Sequence, residues 1–453
     1  MIKKAAILGL LAAALAGTAW AQNDRDSDND HGPKGIQRLD HVFIIMMENH
    51  GYYQVLNNPN EPYLNSLIAN GKVNLATNYF AVGHPSLTNY LEIVGGSNFG
   101  IRSDNSPAWH SQTCTPNLQS GLVNADNNAG GNPPPPVPIE TTSICPISGT
   151  GQDAATPAID NWNEISPEPS GLQFLFLADI DGVKSVPAAK TKGETIGDQL
   201  VRAGLSWKSY QEDLPLTGAD GVNYSNGTAS NLTNFDTLAP LTSGSVVQAY
   251  AVKHNPFAYF QSVQEGSSRD NSLENIVGFD GPRGLYSDLA SGKVPSLSFI
   301  APSQCNDQHG RGNGDAFCAF DFGVPNGNGL TNGTQEGLNP GLIQQGDVTI
   351  ERLVKSIHSS PVWRDDRTAI VIVWDENDYS GSATQSSGLF PLPNQNKVVL
   401  TVETNRDGQG GVQSGNYYNS YSLLKSIEAG FGLPCLNHAC DSNVAVMSDL
   451  FGR

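Results

Sequence analysis

A serine stands between a His-Pro pair and a run with helical spacing in the stretch "NYFAVGHPSLTNYLEIVGGS". Apolar residues recur at i, i+3, i+4 and i+7 (Leu87, Tyr90, Leu91 and Val94), which predicts a helix that begins at or beside Ser86 and buries this stripe. Free N–H groups and the positive end of the helix dipole favour an anion at such a position, phosphate included. A plain N-cap is the commoner role of a serine there. The stretch alone leaves both interpretations open.

Polar and acidic residues follow three predicted strands, at the point where each strand ends. Glu48, Asn49 and His50 come after the first, "NDQH" (306–309) after the second, and "DEND" (375–378) after the third. One such cluster is often only a turn, but three at one sheet edge indicate a site for a hard metal ion. Carboxylate and amide oxygens are the ligands that such ions prefer.

The elements that must hold these residues alternate between buried strands and helices. Continuous apolar runs predict four strands, at 42–47, 297–300, 369–373 and 398–402. Helical signatures lie between and after them, in "PYLNSLIANG", "TIGDQLVRAG", "DVTIERLVKSIHSS" and "SYSLLKSIEAGFG". The pattern predicts an α/β sandwich with a central, largely parallel sheet. In such sheets ligands bind at the carboxyl ends of the strands.

The chain is strongly acidic, with 44 Asp and Glu against 25 Lys and Arg and a net charge of −19. It therefore lacks the basic surface that nucleic acid or an anionic membrane requires. An anionic substrate would need a bound metal ion or a local basic cluster.

The N-terminus has the features of an export signal. Two lysines, an apolar run and the small-x-small sequence "AWA" predict a signal peptide over residues 1–21. A flexible polar leader is expected over 22–35. No later segment approaches the roughly 18 apolar residues of a membrane span. We therefore expect export to the periplasm or the extracellular space.

Six cysteines in an exported chain suggest disulfides. Sequence order alone favours the pairs Cys114–Cys145, Cys305–Cys318 and Cys435–Cys440, although six cysteines allow 15 connectivities. Zinc binding by cysteine is the weaker interpretation, because the sequence has no C-x-x-C pair.

Several common catalytic motifs are absent from the sequence. It contains no G-x-S-x-G, H-E-x-x-H, Walker loop or complete G-x-G-x-x-G. The commonest serine hydrolase, zinc protease and nucleotide-binding sites are thereby disfavoured.

An ordered set of stretches resembles the phosphoesterase family of bacterial and fungal acid phosphatases and bacterial phospholipases C, a relative of the alkaline phosphatase superfamily. The stretches are "HVFIIMMENHGYYQVL", "PYLNSLIANG", "NYFAVGHPSLTNYLEIVGGS", "TIGDQLVRAGLSWKSYQED", "VKHNPFAYF", "SLSFIAPSQCNDQHG", "AIVIVWDEND" and "SYSLLKSIEAGFGLP". The proline after His84 and the compact length resemble the acid phosphatase branch. The resemblance implies an alkaline phosphatase-like sandwich. It also implies one phosphoesterase domain over residues 36–453, with long loops at about 110–165 and 305–345.

The resemblance also implies roles for individual residues. Ser86 matches the nucleophile, and Asn89 would hold phosphoryl oxygens. The implied metal ligands are Glu48, Asn49, Ser86, Asp375 and Glu376. Metal coordination would activate a hydroxyl that is a poor nucleophile by itself.

Histidines near these stretches supply candidates for proton transfer and substrate binding. His309 is the preferred leaving-group acid or phosphate ligand, and His84 is a second candidate that is equally compatible with bracing its turn. His254 and Asp307 match family positions near the site and are assigned to substrate binding. Ser420 stands in a region where many relatives have a histidine, and in the wider superfamily a histidine in that region binds a second metal ion. Because this chain has serine there, we expect one divalent metal ion per site, of unknown identity.

These implications predict a metal-dependent acid phosphatase that hydrolyses small phosphomonoesters through a phosphoserine. Two alternatives stay open. One is a phospholipase C-type phosphodiesterase acting on lipid headgroups. The other is a secreted binding protein of the same fold without turnover. The oligomeric state is left open.

Overall fold

The four apolar runs predicted as buried strands lie together in one central sheet of the computed structural model. The structure describes residues 32–83, 86–99, 101, 104–110, 143–151, 191–214, 222, 249–310, 318, 339–377, 396–406 and 410–452. Its strands are β1 (His41–Met47), β2 (Asn74–Ala76), β3 (Tyr79–Phe80), β4 (Thr150–Gly151), β5 (Thr191–Lys192), β6 (Trp207–Gln211), β7 (Ile276–Val277), β8 (Leu297–Ala301), β9 (Thr368–Trp374), β10 (Leu400–Thr404), β11 (Gln413–Ser414) and β12 (Tyr418–Asn419).

The sheet is largely parallel, as predicted. Within the described ranges it contains eight strands in the order β11-β2-β10-β9-β1-β8-β6-β7. β1 is paired in parallel with β8 on one side and β9 on the other, so that Ile45 lies beside both Ile300 and Ile372. β6 continues the parallel part, between β8 and β7. The side chains of β1 from Val42 to Met47 are buried, which explains the unbroken apolar run.

The fourth predicted strand differs in bounds and direction. β10 covers Leu400–Thr404 and runs antiparallel to both β9 and β2. Val398 and Val399 are buried but lie before the strand, and the N–H of Val398 donates to the carbonyl of Tyr79 at 3.1 Å. An apolar run reports burial on both faces but carries no information on strand direction.

Helices cover the sheet and carry the predicted amphipathic segments. They are α1 (Tyr52–Val55), α2 (Pro62–Ala69), α3 (Ser86–Gly95), α4 (Ile196–Arg202), α5 (Gln261–Gln264), α6 (Leu285–Ser291), α7 (Pro340–Ser359), α8 (Pro361–Asp365), α9 (Ser420–Phe431) and α10 (Ser448–Phe451). Short 3₁₀ helices cover Val252–His254, Pro256–Tyr259, Leu273–Asn275 and Asn437–Cys440. The four helical signatures and the helix that begins at Ser86 are confirmed.

Helix α7 begins earlier than its signature predicts. The side chain of Asn339 accepts a hydrogen bond from the N–H of Gly341 at 3.0 Å, and Pro340 occupies the first helical position. Both features favour a helix start. The last residues of the predicted 305–345 loop are therefore helical.

Two of the three predicted disulfides are present, Cys305–Cys318 and Cys435–Cys440. Cys145 is also disulfide-bonded, and its predicted partner, Cys114, lies outside the described residues. The predicted signal peptide and most of the predicted leader also lie outside them. No described helix is long and apolar enough to cross a membrane.

The parallel arrangement brings the carboxyl ends of β1, β8 and β9 to one edge of the sheet. There the N–H of Glu48 donates to the carbonyl of Asp307 at 2.8 Å, and the N–H of Asp375 donates to the carbonyl of Met47 at 2.9 Å. These backbone bonds join the three acidic segments directly.

Candidate active site

Ser86 is the first residue of α3 and points its hydroxyl at two carboxylates. Its Oγ lies 3.1 Å from Oε1 of Glu376 and 3.2 Å from Oε2 of Glu48. The serine is 1% exposed, and both glutamates are buried. Because one hydroxyl has one proton to donate, it cannot satisfy both carboxylates at once.

Three buried carboxyl groups meet at this point, those of Glu48, Asp375 and Glu376. Burial is the largest cause that raises the pKa of each group well above its ordinary value. Repulsion between neighbours adds to it, from Asp375 on Glu48 and from Glu376 on Asp375. Oδ2 of Asp375 is buried without a hydrogen-bond partner among the described residues.

This donor set fits a divalent metal ion. The carboxylates of Glu48 and Glu376 come from two different strand ends and converge on one hydroxyl, and Oδ2 of the neighbouring Asp375 lacks a donor among the described residues. A cation bound between them would satisfy that oxygen and offset the repulsion. Glu48, Ser86, Asp375 and Glu376 are four of the five metal ligands predicted from the sequence, and their role as ligands stays a prediction.

Asn49 enters the site through its backbone. Its φ angle is 54°, a left-handed conformation that asparagine tolerates better than most residues. The turn lets the N–H of Asn49 donate to Oδ1 of Asp375 at 3.1 Å. Next to it, burial lowers the pKa of His50 to about 4, which favours the neutral imidazole near pH 7. The predicted role of the Asn49 side chain as a metal ligand stays a prediction.

His254 bridges two of the acidic segments. Its Nε2 lies 3.1 Å from Oε1 of Glu48, and its Nδ1 lies 3.3 Å from Oδ2 of Asp307. The ring also stacks on Tyr90, with centroids 5.3 Å apart and planes 6° apart. The hydroxyl of Tyr90 donates to the same oxygen of Glu48 at 2.5 Å. Tyr90, predicted only as part of a buried helix stripe, thus helps to fix Glu48.

His309 follows Asp307 in the loop after β8. Its N–H donates to Oδ1 of Asp307, and its Nδ1 donates to the carbonyl of Gly310, both at 2.7 Å. Ligand atoms of Glu48, His254 and His309 lie within 4.8 Å of one another and could also hold a metal ion. The two histidines, assigned from the sequence to proton transfer and substrate binding, therefore also offer metal ligands. Both donor sets share Glu48.

The loop that carries His309 is supported by Gln308. This residue has a φ of 78°, and its side chain is buried. Its Oε1 accepts from the indole N–H of Trp374 at 3.0 Å, and its Nε2 donates to Glu61 and to the carbonyl of Ile343. The Cys305–Cys318 disulfide anchors the same loop.

The side-chain amide of Asn89 lies at the site, but its hydrogen bonds are made to other groups of the protein. Its Oδ1 accepts from the N–H groups of Val82 and Gly83 at 3.2 and 2.8 Å. Its Nδ2 donates to the carbonyl of Gly83 at 2.5 Å and to Oε2 of Glu376 at 3.2 Å. These are the four hydrogen bonds that an asparagine side chain can make. The predicted bond to a phosphoryl oxygen would have to replace one of them.

Two charged residues beside Ser86 are not among the candidates that the sequence provides. Nζ of Lys253 lies 3.3 Å from Oγ of Ser86 and 2.9 Å from Oδ2 of Asp104. Lys253 directly precedes the candidate His254 in "VKHNPF", and this position next to a candidate is the sequence feature that could have identified it. Nothing in the pattern around Asp104 singles it out.

The structure thus brings together eight of the predicted site residues and the backbone of a ninth. The eight are Glu48, Ser86, Asn89, His254, Asp307, His309, Asp375 and Glu376. The ninth is Asn49. His84 lies outside the described residues.

Comparisons with known proteins agree with the predicted family. Residues 54–318 match the Phosphoesterase family. A phosphatidylinositol-3-phosphatase of Mycobacterium tuberculosis is 32% identical over 451 residues, covering 99% of this chain and 93% of that protein. The chain belongs to the Phosphoesterase family. The family match contains Ser86, Lys253 and His309, whereas Glu48 and Glu376 lie outside it.

Fungal relatives are longer and align over a smaller part of this chain. An acid phosphatase of Aspergillus fumigatus is 26% identical over 270 residues, covering 59% of this chain and 46% of that protein. The chain thus spans about half the length of this relative. Among solved structures, a protein in the alkaline phosphatase superfamily from Vibrio parahaemolyticus aligns with a TM-score of 0.41 and 11% identity. That alignment covers 93% of this chain and 72% of the other.

Proposed function

We propose that this phosphoesterase-family protein is an exported, metal-dependent acid phosphatase that hydrolyses phosphomonoesters through a phosphoserine at Ser86. The observation that carries the proposal is the position of the Ser86 hydroxyl. It stands at the N-terminus of α3, within 3.2 Å of two buried carboxylates.

The chemistry proceeds in two steps. Oγ of Ser86 attacks phosphorus while the bond from phosphorus to the leaving alcohol breaks, and the serine proton passes to a carboxylate oxygen of Glu376 or Glu48. The leaving oxygen takes a proton from an imidazole, for which His309 and His84 are our candidates. Water then attacks the phosphoserine, releases inorganic phosphate and restores the Ser86 hydroxyl.

Glu48, Asp375, Glu376 and the Ser86 hydroxyl would hold the divalent metal ion, with Asn49 beside them. When bound, the ion supplies positive charge that favours the deprotonated serine and offsets charge on the phosphoryl oxygens. The N-terminal N–H groups of α3 add donors on the same side.

The names of relatives support the substrate class, and features of this chain support the location. The fungal relatives are named acid phosphatases, and the mycobacterial relative is named a phosphatidylinositol-3-phosphatase. Both names describe removal of a phosphomonoester. Disulfides and a signal-like N-terminus support export.

The test is ester turnover by the purified mature chain and by Ser86→Ala. We would compare p-nitrophenyl phosphate with p-nitrophenyl phosphorylcholine from pH 4 to 9, with and without chelator. We expect hydrolysis of the monoester that needs metal, is fastest at acidic pH and is lost in Ser86→Ala.

Other outcomes favour the alternatives. Preference for the diester would support a phospholipase C. Activity that persists in Ser86→Ala would refute the nucleophile assignment, and no turnover in metal-replete protein would favour a binding protein.

A further inference from the structure

Lys253 places a positive charge against the proposed nucleophile. It lies in the 3₁₀ helix Val252–His254, and its side chain is 15% exposed. Its ammonium contacts Oγ of Ser86 at 3.3 Å. Among the lysines and arginines of the described ranges, it is the one whose charged atom contacts this oxygen.

Two neighbours fix the ammonium in place. Oδ2 of Asp104 accepts from Nζ at 2.9 Å, while Oδ1 of the same carboxylate accepts from the N–H of Leu87 at 3.1 Å. Asp104 therefore ties Lys253 to the turn of α3 that carries Ser86. On another side, Nε2 of His309 lies 3.0 Å from Nζ. Because Nδ1 of His309 donates to a carbonyl, Nε2 accepts from Nζ while the ring is neutral; to act as the leaving-group acid, His309 would carry its second proton on Nε2 and release this bond.

The surroundings favour the charged form of Lys253. Its ammonium forms an ion pair with the carboxylate of Asp104 at 2.9 Å. The cation also stands in a site rich in buried carboxyl groups, which by themselves would repel a phosphate ester. A phosphomonoester carries close to two negative charges near neutral pH, whereas a diester carries one. The dianion has more to gain from a fixed cation.

We propose that Lys253 is a catalytic residue that binds the phosphoryl group beside Ser86 and selects phosphomonoester dianions over diesters. Asp104 is its positioning residue. The inference rests on the proposed function, since it takes Ser86 as the attacking group. It gives a reason for monoester specificity in a site whose carboxylates by themselves would repel either ester.

The experiment compares Lys253→Met with the matched control Lys208→Met. Lys208 is also a mostly buried lysine, paired with Asp288, and its side chain is 18% exposed. Its described contacts are with Asp288, the carbonyl of Arg283 and the ring of Tyr210. Substrates are p-nitrophenyl phosphate and bis(p-nitrophenyl) phosphate, which share one leaving group, and both are assayed at neutral pH, where the monoester is a dianion.

For Lys253→Met we expect kcat/KM to fall about 100-fold for the monoester. For the diester we expect a fall of less than about tenfold, because the diester carries one negative charge where the monoester carries close to two. Lys208→Met should change the ratio of the two values by less than about twofold. Asp104→Asn, which keeps an acceptor for Leu87, should lower the ratio by an intermediate factor. Lys253→Arg should retain most of the preference.

A second measurement is independent of turnover. In the Ser86→Ala protein, calorimetry measures the Kd of inorganic phosphate with and without Lys253→Met. We expect the Kd to rise at least tenfold.

Equal losses on both esters, or an unchanged phosphate Kd, would overturn the role of Lys253. If the wild-type protein hydrolyses neither ester, the proposed function fails, and the phosphate measurement still decides whether Lys253 binds the anion. If circular dichroism shows that Lys253→Met folds poorly, Lys253→Arg becomes the test. Loss of the monoester preference in Lys253→Arg would then refute the inference.

Discussion

Substitution of Asn89 distinguishes a structural role from the phosphate-binding role that the sequence predicts. Asn89→Ala removes four side-chain hydrogen bonds, three to the backbone of Val82 and Gly83 and one to Glu376. These backbone groups are buried and precede the nucleophile by only a few residues. We expect the substitution to loosen this turn and to free one oxygen of Glu376, without removing a group that binds phosphate.

The magnitude follows from the number of backbone bonds lost. At about 1 kcal/mol net for each of them, the free energy of unfolding should fall by about 3 kcal/mol. With an unfolding entropy of about 2.1 cal/mol/K per residue, a chain of this length should lose about 3 °C in Tm. The control Thr88→Ala removes one hydrogen bond, from Oγ1 to the carbonyl of Ile101, and should cost about 1 kcal/mol.

The assay pairs thermal unfolding with inhibition by inorganic phosphate. If Asn89 is structural, the Asn89→Ala protein loses stability while its inhibition constant for phosphate stays within about twofold. An unchanged Tm together with at least tenfold weaker inhibition would refute this reasoning. That result would establish Asn89 as the phosphoryl-oxygen ligand expected from the sequence.

Two further predictions concern metal and pH. Chelation should lower the Tm more at pH 8 than at pH 5, as calorimetry can measure. Burial, and then neighbouring carboxylates, raise the pKa of Glu48 and Glu376, so metal-free stability is greatest at low pH and is lost as pH rises through the raised values. Equal losses at both pH values would contradict this. Asp40→Asn should cost up to about 1 kcal/mol at pH 7, because its pair with Arg367 is partly exposed. Burial acts to raise the Asp40 pKa, but Arg367 outweighs it and lowers the value. The contribution is therefore present above the ordinary pKa of 3.8 and lost as pH falls through the lowered one. Urea unfolding at pH 7 and at about pH 2.5 checks this, and a difference that persists in acid would refute it.

The sequence by itself determined the features that depend on local pattern. Continuous apolar runs specify β1, β8 and β9, because a strand that is buried on both faces carries apolar side chains on both. Helical spacing after Ser86 specifies α3. Polar residues at three strand ends specify the acidic edge, because parallel strands end on the same side. Most of the candidate site follows from these local signals together with the family resemblance.

Strand β6 shows where local pattern fails. It reads "WKSYQ", yet it lies between β8 and β7 with only Lys208 partly exposed. Its polar groups are satisfied by distant partners. Lys208 pairs with Asp288, and the hydroxyl of Ser209 bonds to Asn255 at 3.2 Å. Polar residues can occupy a buried strand only when such partners exist, and no sequence window contains them.

The tertiary structure alone decided the direction of β10 and the electrostatics around the nucleophile. Lys253 and Asp104 are 149 positions apart in the chain, and Lys253 and Ser86 are 167 apart. Their charges interact because the 3₁₀ helix Val252–His254 packs beside α3. Residue type and spacing can show which side chains are able to bind a metal ion or a phosphate. Only the folded chain decides which cation lies within contact of Ser86, because Coulomb energy depends on distance in space and burial rather than on separation in sequence.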